Sequence, residues 1–182
     1  MNQTILLMVL AVIMLRPSAL TAQHKYVGIK LCAPCHRTAK QGKQMDIWQK
    51  TKHAEAYAIL DSAEAKEIAK KIGLTKPPVE SAECLKCHAP QHDVDPKLFM
   101  KTFNLQDGVQ CETCHGPGSE YKSLRVMKDR KKAIAAGMVL ASSDSSLCQK
   151  CHNEESPTFK GFDYKEMWEK IKHPVPAAKR GK

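Results

Sequence analysis

The stretch Gly108-Val109-Gln110-Cys111-Glu112-Thr113-Cys114-His115-Gly116-Pro117-Gly118 decides how this chain is read. Its centre is Cys-x-x-Cys-His, and the same unit occurs three more times. The other copies are Cys32-Ala-Pro-Cys35-His36, Cys84-Leu-Lys-Cys87-His88 and Cys148-Gln-Lys-Cys151-His152. All eight cysteines of the 182-residue chain fall into these pairs, and each pair is followed directly by histidine. That unit is the attachment site of c-type haem. The spacing has a physical basis: two thiols bond to two vinyl-derived carbons at one porphyrin edge, and the adjacent imidazole then lies under the iron. The eight cysteines are therefore read as covalent haem attachments. His36, His88, His115 and His152 are read as the proximal iron ligands.

Two plainer readings compete. Paired Cys-x-x-Cys units build four-thiolate zinc sites, but zinc does not require a histidine after every pair. A thioredoxin-like redox pair needs a strand–helix–strand setting, and no strand pattern surrounds these motifs. The intervals between motifs are irregular, at 52, 27 and 37 residues, which argues against a solenoid.

Composition fits the haem reading. Aromatics make up only 5% of the chain, thin material for a conventional core. Four haems in the roughly 160 residues of a mature chain leave about 40 for each, well below the allotment of an ordinary globular domain. The porphyrins would then serve as the core. The expected fold is a mostly α multihaem cytochrome c, with helices and loops wrapped around four closely packed haems.

Residues 5–15, Ile-Leu-Leu-Met-Val-Leu-Ala-Val-Ile-Met-Leu, form the only strongly apolar run. The run has the length of a signal-peptide core, too short to span a bilayer comfortably. Small residues at Ser18, Ala19 and Ala22 suggest cleavage near Ala22–Gln23. The expected organisation is a signal peptide over 1–22, a tetrahaem domain over 23–176 and a basic disordered tail over 177–182. The location that follows is periplasmic, or otherwise extracytoplasmic. An uncleaved N-terminus is the alternative and would anchor the protein at a membrane.

No period-two alternation stands out, so helices are expected. One is read from about Asp46 to Leu60. A second follows to Lys71, with Asp61 and Glu64 as a capping box and Gly73 as its stop. A basic helix is read from about Glu120 to Ala136, ended by Gly137. A last helix, Tyr164 to Lys172, opens on Asp163 with Glu166 and stops at Pro174. The formal charge is +10, of which Arg16 would leave with the signal peptide. Two propionates on each haem offset most of that excess, so the lysines are read mainly as propionate partners. A basic docking face for an acidic redox partner is the alternative. Nucleic acid is not an expected partner of an exported protein.

Four histidines remain as candidates for the distal side: His24, His53, His92 and His173. Bis-histidine ligation is the electron-carrier state, while methionine thioether raises the reduction potential. Met127, after the third motif, is the thioether candidate. His92 lies only four residues beyond His88 and would have to serve a neighbouring haem.

Trp48-Gln49-Lys50-Thr51-Lys52-His53-Ala54-Glu55-Ala56 resembles the Trp-Lys-x-Thr-x-His-Ala-x-Ala segment of the tetrahaem cytochrome c-554 family. The stretch around Cys111–His115 resembles that family's third haem site. The resemblance runs from about Tyr26 to His173. It implies a helical protein with stacked and perpendicular haem pairs, active in periplasmic electron transfer. It also implies distal roles for His53 and His173. The chain departs from the pattern between Gly116 and Leu147, where no histidine occurs and Met127 stands instead.

The expected function is single-electron transfer between redox partner proteins, membrane-bound or soluble, without catalysis and with four c-type haems as cofactors. The alternatives are a haem-based reductase acting on a small nitrogen oxide at a five-coordinate haem, and a subunit of a larger cytochrome assembly. Glu112, inside the third motif, is too isolated in sequence to found a catalytic mechanism.

Overall fold

A computed structural model describes residues 23–141 and 145–173. The expectations for the signal peptide, for Pro174 and for the basic tail fall outside these residues. Short helices joined by turns make up the fold, and the described residues contain no strand. One isolated parallel bridge pairs Tyr26 with Phe99. Helix α1 spans Ile29–His36, α2 Gln44–Trp48, α3 Ala63–Lys71, α4 Ala82–His88 and α5 Cys111–His115. Helices α6 (Leu124–Met127), α7 (Arg130–Ala135), α8 (Ser146–Gln149) and α9 (Tyr164–Ile171) complete the order.

The helices are shorter than the periodicity suggests. The stretch from Asp46 to Leu60 is not one helix. Helix α2 stops at Trp48, and turns lead from there to a 3-10 turn at Ala58–Asp61. Its backbone is committed elsewhere, because the His53 carbonyl accepts the Val109 amide at 3.2 Å. The second helix starts at Ala63, and Ser62 rather than Asp61 caps it by accepting the Ala65 amide at 3.1 Å. Asp61 instead meets Lys66 at 2.7 Å. The basic segment is two helices, broken where the Asp129 side chain caps α7 through the Lys132 amide. The last helix follows its expectation, with Asp163 accepting the Glu166 amide at 2.9 Å.

Buried hydrocarbon is sparse among the described residues. The one cluster is Leu60, Leu85 and Ala89, joined by Tyr57, Val79, Cys84 and Leu105. Polar side chains share the interior: Ser81, Gln91, Gln110 and Glu112 are all buried. Chain segments far apart in sequence are tied by hydrogen bonds instead. The strand-like segment 25–28 is the main tie. Tyr26 donates to the Leu98 carbonyl and accepts from the Met100 amide, while the Lys25 carbonyl takes the Ser119 amide. Gly28 has φ 79°, and a Cβ there would lie 2.6 Å from the Thr102 carbonyl, so only glycine fits.

Candidate haem-ligand centre

Each motif lies on a short helix or the turn that ends it, so its two cysteines and its histidine share one local frame. Helices α1, α4 and α5 end on His36, His88 and His115, and α8 carries Cys148 with Cys151 and His152 in the turn after it. A single helical turn places positions one, four and five of the motif on one side of the backbone, where one flat ring can meet all three.

The imidazoles of three motif histidines are oriented by hydrogen bonds at Nδ1. His88 Nδ1 lies 2.6 Å from the Ala56 carbonyl, and His115 Nδ1 lies 2.9 Å from the Val139 carbonyl. A carbonyl only accepts, so each Nδ1 carries the hydrogen and each Nε2 keeps its lone pair for a metal. His36 Nδ1 meets the Gln44 side-chain oxygen at 3.2 Å. The Gln44 amide nitrogen is turned away toward the Gln41 carbonyl, which leaves its oxygen facing His36.

Two motif histidines face a spare histidine. His53 and His152 have ring centroids 6.1 Å apart at 67°, and His115 and His173 are 5.8 Å apart at 45°. A metal held by two imidazoles, at about 2.0 Å from each nitrogen, separates the ring centroids by on the order of 6 Å. Both pairs therefore have the span of a bis-imidazole iron site. Burial lowers the pKa of His53, His152 and His173, with His152 adding to the effect on His53 and His115 on His173. The neutral ring that results is the form that ligates. His173 Nδ1 and His92 Nδ1 are buried without a hydrogen-bond partner, a cost that a metal bound at that nitrogen would relieve.

His24, Met127 and His92 complete the candidates. His24 packs against Gly137, where a Cβ would come within 2.6 Å of its ring. Met127 ends α6, half-buried. His92 follows α4 in a turn, its amide bonded to the Ala89 carbonyl at 2.9 Å.

Thiols of different motifs approach one another. Cys32 and Cys111 are within hydrogen-bond reach, which raises the pKa of the first and lowers that of the second. Cys87 and Cys151 are likewise in reach, and the Cys151 thiol brings Cys87 down to about 7. Burial pushes Cys114 up to about 11, and the charge of the Cys148 thiol adds to the rise. Among the described residues no three or more His, Cys, Asp or Glu converge as one metal ion would need. The second and fourth motifs are also joined by Lys86 and Glu155, 2.5 Å apart.

Sequence reasoning missed Glu112 as an organiser. Its carboxylate accepts the amides of Val27 at 2.8 Å, Gly28 at 2.7 Å and Gly118 at 2.6 Å. The residue is 3% exposed and pins the segment before the first motif to the loop after the third. Gln91 and Thr113 pair across the second and third motifs at 3.1 Å. Tyr121 donates to the Gly116 carbonyl at 2.5 Å, beside His115. In sequence, only the Gly-Pro-Gly run at 116–118 hinted at a loop needing an anion near its amides.

Comparison with known proteins follows the same lines. The sequence profile described as "Cytochrome c554 and c-prime" matches residues 31–116, which hold the first three motifs. Cytochrome c-554 of Nitrosomonas europaea is 27% identical, over 79% of this chain. The match spans 64% of that relative's length. No solved structure matches. No helix among the described residues is long and apolar enough to cross a membrane. Profile and relative point the same way: the chain is similar to the cytochrome c554 family, most clearly over residues 31–116.

Proposed function

We propose that this protein is an exported tetrahaem electron carrier, with four c-type haems bonded through Cys32/Cys35, Cys84/Cys87, Cys111/Cys114 and Cys148/Cys151. The observation that carries this reading is the spacing of the two histidine pairs, 6.1 Å and 5.8 Å. On this reading His152 and His53 hold one iron, and His115 and His173 hold another. His36 and His88 are proximal ligands of the other two, whose second ligands come from His24, His92 and Met127. Haem iron supplies reversible uptake and release of one electron.

What the chain contributes is placement and electrostatics. The carbonyls of Ala56 and Val139 fix which imidazole nitrogen faces the metal and increase its basicity. The neighbouring thiols, Cys32 with Cys111, Cys87 with Cys151 and Cys114 with Cys148, support a linear order of sites: first, third, fourth, second. Redox partner proteins would dock at either end of that order. The sparse protein core supports a chain that wraps porphyrin rather than hydrocarbon.

Mass spectrometry tests the reading. The mature protein should weigh as the chain from about Gln23 onward plus four haems. A mass matching a zinc-loaded apoprotein would refute it. Carbon monoxide binding and nitric oxide reduction separate carrier from reductase: a carrier shows neither at more than trace levels.

A further inference from the structure

The turn that carries His53 also carries the acceptor for a second motif histidine. Three residues past His53, the Ala56 carbonyl takes the Nδ1–H of His88 at 2.6 Å. His53 itself faces His152. His88 belongs to the second motif and His152 to the fourth, and these motifs meet at Cys87–Cys151 and Lys86–Glu155. One short turn therefore serves two neighbouring sites.

That turn is pinned from outside at residues 108 and 109. The Val109 amide donates to the His53 carbonyl at 3.2 Å, and the Trp48 indole donates to the Val109 carbonyl at 2.8 Å. Gly108 has φ 70° and ψ −134°, a region that costs any other residue dearly. A Cβ there would stand 3.1 Å from both the His53 carbonyl and the Tyr57 amide nitrogen. The close approach and the left-handed backbone both require glycine.

We infer that residues 53–56 form a common bracket for the His88 and His152 haem sites, with Trp48, Gly108 and Val109 as its positioning residues. The inference rests on the haem ligation proposed above. A hydrogen bond from Nδ1 to a carbonyl makes the imidazole more basic, which favours ferric iron and lowers the reduction potential. Displacing the turn lengthens the His88–Ala56 bond and raises the potential of the His88 haem. The same displacement draws His53 away from the His152 haem and weakens its low-spin state. One backbone movement thus tunes two centres in concert.

The test compares the haem-loaded wild type with Trp48→Phe, which keeps the ring and deletes the indole donor, and with Gly108→Ala. Electron paramagnetic resonance and a spectroelectrochemical titration are recorded, with haem content measured on the same samples. The expected result is full haem content with two centres changed in each variant. One potential rises, and one low-spin signal shifts or gains a high-spin fraction, more in Gly108→Ala than in Trp48→Phe. Wild-type spectra and potentials in folded Trp48→Phe, or a change confined to one haem, overturn the bracket. Should Gly108→Ala not accumulate, Trp48→Phe decides alone. A wild type without covalent haem defeats the ligation reading, and the bracket with it.

Discussion

The two histidine pairs are built in opposite ways. In the His53–His152 pair the spare histidine is the fixed member, on a turn held by Trp48, Gly108 and Val109. Its motif partner, His152, is placed by ring stacking on Phe162 at 4.9 Å. In the His115–His173 pair the motif histidine is fixed, by the Val139 carbonyl and the backbone bond that accompanies it. Its spare partner follows the end of α9, a helix with no buried residue. Each pair thus joins one rigid imidazole to one that can adapt. On the proposed ligation, a rigid member would set the position of the metal, and an adaptable one would let the ring system settle between helices. The difference predicts unequal lability, since local opening follows from low burial.

The largest effects come from removing the spare histidines. His53→Ala and His173→Ala should each convert one low-spin haem to high spin and open it to carbon monoxide. The wild type sharpens the contrast: added cyanide or imidazole should displace His173 before His53, seen as sequential loss of two low-spin signals. Simultaneous displacement would erase the distinction between the pairs.

Glu112→Gln comes next. Three amide bonds to a buried carboxylate would each weaken, and hydrogen bonds to charged groups contribute about 1.5–3 kcal/mol. A loss of about 2 kcal/mol in chemical unfolding is expected. The low-spin signal of the His53–His152 site should stay as it is, because the Glu112 carboxylate holds the amides of Val27, Gly28 and Gly118 and none in the 53–56 turn. A smaller effect is expected from Asp163→Ala, which removes the cap of α9 at a typical cost of about 1 kcal/mol. The fraction of the His173 haem that binds carbon monoxide should rise about fivefold, with no change at the His53 haem.

The smallest effect is a slope with pH. Burial raises the Glu112 pKa, against the pull of its amide bonds from Val27, Gly28 and Gly118. Between the ordinary glutamate value of about 4.3 and the raised value, the folded chain holds a proton that the unfolded chain has released. Stability therefore falls as pH rises through that window. Glu112→Gln should flatten the slope, measured as the difference between the two unfolding curves from mildly acid to neutral pH.

The repeated Cys-x-x-Cys-His made the cofactor class legible, because the chemistry of attachment dictates local spacing. Asp163 was equally legible, since a cap acts over three residues. The long helix expected from Asp46 failed for a nonlocal reason. The carbonyls that would continue it are drawn to Val109 and His88, residues far along the chain. The basic helix failed locally, as Asp129 prefers to cap α7 rather than sit inside a longer helix. The pairing of His53 with His152 lay beyond sequence, because it depends on contacts between segments about a hundred residues apart. Glu112 escaped notice because its three donors are backbone amides, which leave no mark on residue type.

The approach of thiols from different motifs bears on how such a chain is made. Cys32 meets Cys111, and Cys87 meets Cys151. Export, as proposed above, would bring the polypeptide into a compartment where neighbouring thiols oxidise. A nascent chain that reached this arrangement bare would be open to cross-linking between motifs, sealing the sulfurs that porphyrin must take. Assembly of the protein therefore calls for a definite sequence of events. On the proposed haem attachment, thiols would be kept reduced, each porphyrin attached while the chain is open, and only then would the segments close on one another.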